Sequence, residues 1–289
     1  MKGVKADLHV HSTASDGTYA PGELVALAGQ QGFTLLAVTD HDTTCGVTAA
    51  QAAGSACGVR VIPGVELSVL ASHGIHLLGY GVDIADAALQ RALADMCRNR
   101  EGRAQAILER LDKLGCPVPG ERVRQLAREG AVGRPHIAMA MVELGYCSSV
   151  QEAFARYLGS AGAAYVPRER LSAQRAIDLV LGAGGVPVFA HPGLLPLTSP
   201  NLRALIESLR DRGLLGMEVW YPGHSPAQMD MLGRWAQQLG LVATGGSDFH
   251  GHVKPHISLG AGTAGAPEGW YEPLLALLER RTEPMEGNR

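Results

Sequence analysis

Two histidines and an aspartate alternate near the start of the chain, in Asp7-Leu8-His9-Val10-His11. Val4, Ala6, Leu8 and Val10 fill the intervening positions, and a strand repeats its faces every two residues, so Asp7, His9 and His11 should project from one face. Two imidazoles side by side, with a carboxylate near enough to orient them, are a start for a divalent metal site. The competing reading is a half-buried strand whose histidines face solvent. The rest of the chain favours the metal, because the same residue types recur where apolar runs end. Asp40 and His41 follow the run 33–38, Glu66 follows 59–62, His191 follows 186–190, and Asp248 and His250 follow 241–244. His76 lies inside the run 74–80.

Helical stretches separate most of these runs. Pro21 suits the first turn of a helix that Gly32 can end, and the Ala-rich residues 47–57 read as a second helix. Strand, helix, strand, helix predicts a mostly parallel sheet. From about Asp83 to Leu114 the chain is helical, a short helix is expected at 121–129, and two more reach about Leu158, with no strand-like run between them. We assign 95–165 to a small helical insert, and 1–94 with 166–289 to the barrel that carries the site. The alternation resumes with helices at 172–183, from Asn201 and at 226–239, interleaved with strands at 186–190, 216–220 and 241–244; the tail from Arg280 reads as frayed. About seven strands predict an α/β fold with a closed (β/α) barrel-like core. In parallel barrels the carboxyl-terminal strand ends meet at one rim, which gathers His9, His11, His41, His76, His191 and His250 with Glu66, Asp248 and Asp16. One ion takes about four to six ligands, so nine candidates imply a two- or three-metal centre.

Composition narrows the function classes. The chain has 289 residues, 46% hydrophobic and 18% charged, the balance of a globular protein with a large core. No apolar run approaches the roughly 20 residues that cross a bilayer, and no signal-peptide core follows Met1, so a cytoplasmic protein without a membrane partner is expected. Five widely spaced cysteines, with no C-x-x-C pair, read as small buried thiols. A net charge of −3 lacks the basic footprint of a protein gripping long nucleic acid, and composition leaves the oligomeric state open.

The site residues resemble those of the PHP (polymerase and histidinol phosphatase) phosphoesterases, through Asp7-Leu8-His9-Val10-His11-Ser12, Thr39-Asp40-His41-Asp42, Pro63-Gly64-Val65-Glu66, His191-Pro192 and Gly246-Ser247-Asp248-Phe249-His250. The resemblance implies a distorted seven-stranded (β/α) barrel with a trinuclear site, supported by Asp7 and Asp40. His9, His11, Glu66 and Asp248 would hold one ion, Glu66 would bridge to a second shared with His76 and His191, and Asp16, His41 and His250 would hold the third. Some family members carry histidine where this chain has Asp16. The imidazole and carboxylate set suits manganese, with iron and zinc as alternatives. Within the insert and beyond it, Arg98 to Arg103, Gly133-Arg134-Pro135-His136, Tyr221-Pro222-Gly223-His224 and Lys254 look like the subgroup of nucleoside 3',5'-bisphosphate phosphatases and short-oligonucleotide 5'-to-3' exonucleases.

Spacing adds to that resemblance. Asn99 and Arg103 lie four apart on one helix face, and Arg134 and His136 sit at a helix start that favours an anion, so with Lys254 and His224 they are candidates to hold a phosphate other than the one cleaved. The alternatives are a solvated arginine face and a capping histidine. Metal-bound water reaches a pKa of about 7, so a bridging hydroxide would attack phosphorus, with His224 or Asp248 handling the proton of the leaving oxygen. The leading expectation is removal of the 3'-phosphate from small nucleoside 3',5'-bisphosphates. The alternatives are 5'-to-3' degradation of short 5'-phosphorylated oligonucleotides, a metal-dependent amidohydrolase, and a non-catalytic nucleotide sensor.

Overall fold

The computed structural model describes residues 4–70, 74–127, 132–167 and 171–282. Its single sheet follows the path β1 (Ala6–Val10), β2 (Leu35–Val38), β3 (Arg60–Leu70), β4 (Ile75–Tyr80), β6 (Val186–Phe189), β7 (Gly216–Trp220) and β8 (Val242–Gly245); the two-residue β5 (Leu171–Ser172) pairs off this path with β3. The ring closes just past β8, where Phe249 bridges Val10 in parallel. His11 N–H donates to the Phe249 carbonyl at 2.9 Å and Asp248 N–H to the His9 carbonyl at 2.8 Å. Gly246 permits this approach, since a Cβ there would lie 2.5 Å from the His9 nitrogen. The result is an α/β fold with a nearly closed seven-stranded barrel.

One strand departs from the parallel pattern. β4 runs antiparallel to both β3 and β6, because residues 71–74 are too few for the crossover of a dozen or more residues that a parallel neighbour needs. His76 therefore reaches the rim from the beginning of its strand. β3 is also longer than its apolar run, continuing through Glu66 and pairing Ser68 with His76.

Helices α1 (Pro21–Gln30) and α2 (Val47–Cys57) cover β1 and β2, and α7 (Ala173–Gly182), α8 (Ser199–Asp211) and α9 (Pro226–Leu239) cover the strands after the insert. The carboxyl terminus corrects an expectation. Residues 272–282 form the helix α10, and Tyr271, Leu274 and Leu278 pack with Ala6, Leu35, Tyr80 and Val186 at the end of the barrel away from the rim. Only the part of the expected frayed tail at 283–289 lies outside the described residues.

The long helix α3 (Ala87–Lys113) spans the boundary expected at residue 95. Its Leu89, Leu93 and Met96 belong to the barrel core, whereas Ala104, Ile107 and Leu111 belong to a second core with α4 (Gly120–Ala127), α5 (Arg134–Glu143) and α6 (Val150–Ala153). At about 1.5 Å per residue, the helix continues roughly 25 Å beyond Met96, its last residue in the barrel core. The short helix expected at 121–129 is described to Ala127, and its last residues lie outside the described set. Among the described residues no helix is long and apolar enough to cross a membrane.

Candidate active site

Glu66 is the hub of the rim. Its Oε1 lies 2.8 Å from His76 Nδ1 and 3.1 Å from His191 Nε2; its Oε2 lies 3.0 Å from His41 Nδ1, 3.3 Å from His11 Nε2 and 3.4 Å from His9 Nε2. Burial alone would raise its pKa, but the His41, His76 and His9 rings hold the carboxyl well below the usual range. A second carboxylate, Asp248, turns Oδ1 to His11 Nε2 at 3.2 Å and His9 Nε2 at 3.6 Å. Its Oδ2 accepts from the Tyr221 hydroxyl at 2.9 Å and the Lys254 ammonium at 2.6 Å. Burial also opposes ionisation of Asp248, and His11, His9, His250 and Lys254 overcome it. The third carboxylate is Asp16, with His250 Nε2 at 3.2 Å, His11 Nδ1 at 3.8 Å and His41 Nε2 at 3.9 Å.

All nine rim residues proposed from the sequence thus come together. Side-chain atoms of seven of them form three close groups that could each hold an ion: His11, Asp16, His41 and His250; His9, His11 and Glu66; and His41, Glu66 and His76. His191 and Asp248 lie beside these through Glu66, His9 and His11. His11 and His41 each reach two groups, so the three-way division implied by resemblance is less sharp than expected. Backbone strain is concentrated at the same rim. Asp42, His191 and Asp248, with φ of 55°, 33° and 55°, are the non-glycine residues with positive φ among those described.

The supporting residues need one correction. Asp7 touches neither imidazole; its carboxylate accepts from Ser247 N–H at 2.9 Å, Ser247 Oγ at 2.6 Å and Gly260 N–H at 2.8 Å, and so anchors the loop that carries Asp248. His9 is oriented instead by Glu218, which accepts from Nδ1 at 2.9 Å and which sequence reading passed over as part of an apolar strand. Asp40 secures the loop after β1, accepting from Ser12 N–H, Ser12 Oγ and Ser15 Oγ at 2.6 to 2.8 Å.

The substrate-binding candidates are scattered. His136, on α5, lines a cavity of about 230 Å³ with Asp16, Thr18 and Gln125, between the rim carboxylates and histidines and the insert. Its Nδ1 accepts from Gly133 N–H at 3.1 Å, and burial pushes its pKa down. Arg134 donates to the Leu158 carbonyl at 3.0 Å and lies over Phe154, while Arg103 donates to the Val166 carbonyl at 2.8 Å. Asn99 lines a separate groove with Arg91 and Arg175, and Lys254 is held on Asp248. Arg100, one turn before Arg103 on the same helix, pairs at 2.5 Å with the buried Asp42 beside His41. His224 stands apart from the cluster. Its Nδ1–H donates to the Val219 carbonyl at 2.9 Å and its Nε2 accepts from Gly193 N–H at 3.1 Å, so both ring nitrogens are occupied.

A PHP domain profile matches residues 7–129. The chain is 38% identical to the 5'-3' exoribonuclease Rnm of Salmonella typhimurium, over 93% of this chain and 95% of that protein. The chain belongs to the PHP family. It is also 34% identical to a 3',5'-nucleoside bisphosphate phosphatase of Chromobacterium violaceum, over 84% of this chain and 86% of that one. The structure of a candidate metal-dependent phosphoesterase from Bifidobacterium adolescentis superposes with a TM-score of 0.85 at 31% identity, covering 94% of this chain and 96% of that one. The protein is a phosphoesterase of PHP type, and its rim holds His, Asp and Glu groups that could bind metal ions. His9 Nε2, His11 Nε2, His41 Nδ1, His76 Nδ1 and Glu66 Oε2 are buried without an aligned hydrogen-bond partner. Orphaned donors and acceptors of this kind cost about 1 to 3 kcal/mol each, which coordination to an ion would recover.

Proposed function

We propose that this PHP phosphoesterase hydrolyses the ester at the 3' oxygen of a nucleotide that carries a 5'-phosphate. Nucleoside 3',5'-bisphosphates are the smallest such substrates, and short 5'-phosphorylated oligonucleotides are their extension. In either substrate the bond broken joins O3' to phosphorus and the product is a nucleoside 5'-monophosphate. The observation that carries the reading is the cavity between Asp16 and the first turn of α5, where ion-binding groups meet a helix amino terminus that favours a second anion. The greater identity and coverage of the exoribonuclease supports including oligonucleotides beside the bisphosphates. Residues 95–165 act in this reading as a cap over the barrel, and the free cysteines fit a cytoplasmic setting.

His9, His11, Asp16, His41, Glu66, His76, His191, Asp248 and His250 would hold two to three divalent ions, manganese first, with iron or zinc as alternatives. When bound, such ions activate water near neutral pH and offset charge on phosphoryl oxygens. The chain's own groups keep the donors in order. His250 donates from Nδ1 to the Asp248 carbonyl at 2.8 Å, which leaves the Nε2 lone pair for an ion that it would share with Asp16. Tyr221 and Lys254 donate hydrogen bonds to the ionised Asp248 Oδ2, and that oxygen, at the rim, is better placed than His224 to relay a proton from the Lys254 ammonium towards the leaving 3' oxygen. Arg100 and the α5 turn hold the insert over the substrate.

Turnover measured on a bisphosphate and on 5'-phosphorylated oligonucleotides of two to ten residues, with manganese and with chelator, tests the reading. Chelator-sensitive release of nucleoside 5'-monophosphate is expected, together with loss of activity when the 5'-phosphate is removed. Indifference to the 5'-phosphate would overturn the substrate assignment.

A further inference from the structure

We propose that Glu218 is a positioning residue that prepares two metal-ligand histidines at once, His9 through its ring and His191 through its backbone. Glu218 is fully buried in β7, the one charged residue of the strand Gly216-Met217-Glu218-Val219-Trp220. Its Oε1 accepts the Nδ1 proton of His9 at 2.9 Å and its Oε2 accepts the His191 N–H at 2.7 Å. The first bond selects the tautomer of His9. With the proton on Nδ1, the bare Nε2 faces Glu66 Oε2 at 3.4 Å and Asp248 Oδ1 at 3.6 Å, where an ion would sit. The second bond holds the His191 backbone at φ 33°, outside the conformations that side-chain-bearing residues prefer, and this turn delivers its Nε2 to Glu66 at 3.1 Å. One carboxylate thus ties β1 and the β6 end together across the barrel.

A carboxylate is required because both of its partners donate. A glutamine in its place offers one acceptor and one donor. If its oxygen takes the His191 N–H, its amide group faces His9 Nδ1, which must then give up its proton. That proton moves to Nε2, and His9 no longer has a lone pair for the ion. If the amide is flipped, two N–H groups face each other at the strained turn. Either orientation spoils one ligand, although the shape and volume of the side chain are unchanged. A residue that only filled space would tolerate the exchange.

The inference rests on the metal centre proposed above, and the experiment separates the two. Wild type, Glu218→Gln and Glu218→Ala are titrated with manganese against a competing chelator, and bound metal is measured directly, with folding checked by circular dichroism. The expectation is a tenfold to hundredfold weaker affinity in both variants, with no rescue by glutamine. A wild type that retains no ion defeats the metal centre itself; a metal-binding wild type with an equally competent Glu218→Gln defeats the role of Glu218 alone. Should neither variant fold, nitrogen NMR of the zinc-loaded wild type, in which a coordinated ring carries a single proton, decides. A His9 proton on Nδ1 supports the proposal, and a proton on Nε2 overturns it.

Discussion

The barrel rim and the helical insert face each other across one cavity, and they hold their charged groups in opposite ways. At the rim, Glu66 is met by five imidazoles and several nitrogen lone pairs point inward without aligned partners. In the insert, Arg103 and Arg134 each give a proton to a main-chain carbonyl, and Arg100 is paired with Asp42. The rim keeps its polar atoms poised for something absent from the chain itself, whereas the insert uses its cations to hold its own shape against the barrel. Ion binding should therefore depend on rim residues alone, and substrate choice on the insert.

Loss of the hub would break this contrast most severely. Glu66→Gln keeps the size of the side chain but halves its capacity to accept, and each of the three ligand groups contains a histidine that faces it. Losing the charge stabilisation of a metal centre is worth several kcal/mol, about a thousandfold or more in kcat. We expect metal content and activity to fall together on every substrate, while the fold persists. Full metal content with near-normal turnover would show that Glu66 is not the hub.

The insert should fail differently. If the α5 turn reads the 5'-phosphate, a charge-assisted bond lost in Arg134→Ala costs about 1.5 to 3 kcal/mol, roughly tenfold to a hundredfold in kcat/KM. That loss should appear with a 3',5'-bisphosphate and scarcely with an aryl phosphate. Because Arg134 also supports Leu158, the two substrates must be assayed on one preparation with metal content verified. Equal damage to both would mean that this arginine serves the fold and leaves the second phosphate to other groups.

The contrast also explains what could be read from the chain. Most of the residues gathered at the rim were legible because they follow the end of an apolar run, a position that sequence pattern reveals; His76, inside its run, and Asp16, in a turn, carried no such mark. The direction of β4 was not, since an apolar run looks the same in either sense; the brevity of 71–74 was the available signal. α10 was missed although Tyr271, Leu274, Leu275 and Leu278 have helical spacing, because the charged Glu279, Arg280 and Arg281 beside them suggested a tail. Glu218 was hidden by its apolar neighbours, and a lone carboxylate inside a buried strand was itself the clue. The arginines of the insert carried no such mark. Whether a surface arginine reaches a phosphate or a carbonyl depends on contacts such as Arg134 with Leu158, made 24 residues apart.

The smallest effect on chemistry is expected at His224. A general acid protonates its leaving group in the transition state, and removing one typically costs about a hundredfold to ten-thousandfold. The loss would fall on a poor leaving group such as the 3' oxygen of ribose, and would spare an aryl phosphate. His224, however, is 4% exposed, burial lowers its pKa, and its two nitrogens serve Val219 and Gly193. It holds the turn after His191 against the end of β7. His224→Ala would leave the Val219 carbonyl and Gly193 N–H without that partner, at about 1 to 3 kcal/mol for each that stays buried and unpaired. We therefore expect Tm to fall by several degrees, with the remaining folded enzyme losing activity equally on bisphosphate and aryl phosphate. A loss confined to the bisphosphate, growing with the basicity of the leaving oxygen, would instead require His224 to turn from its backbone partners and act on the substrate, and would take the leaving-group proton away from Asp248.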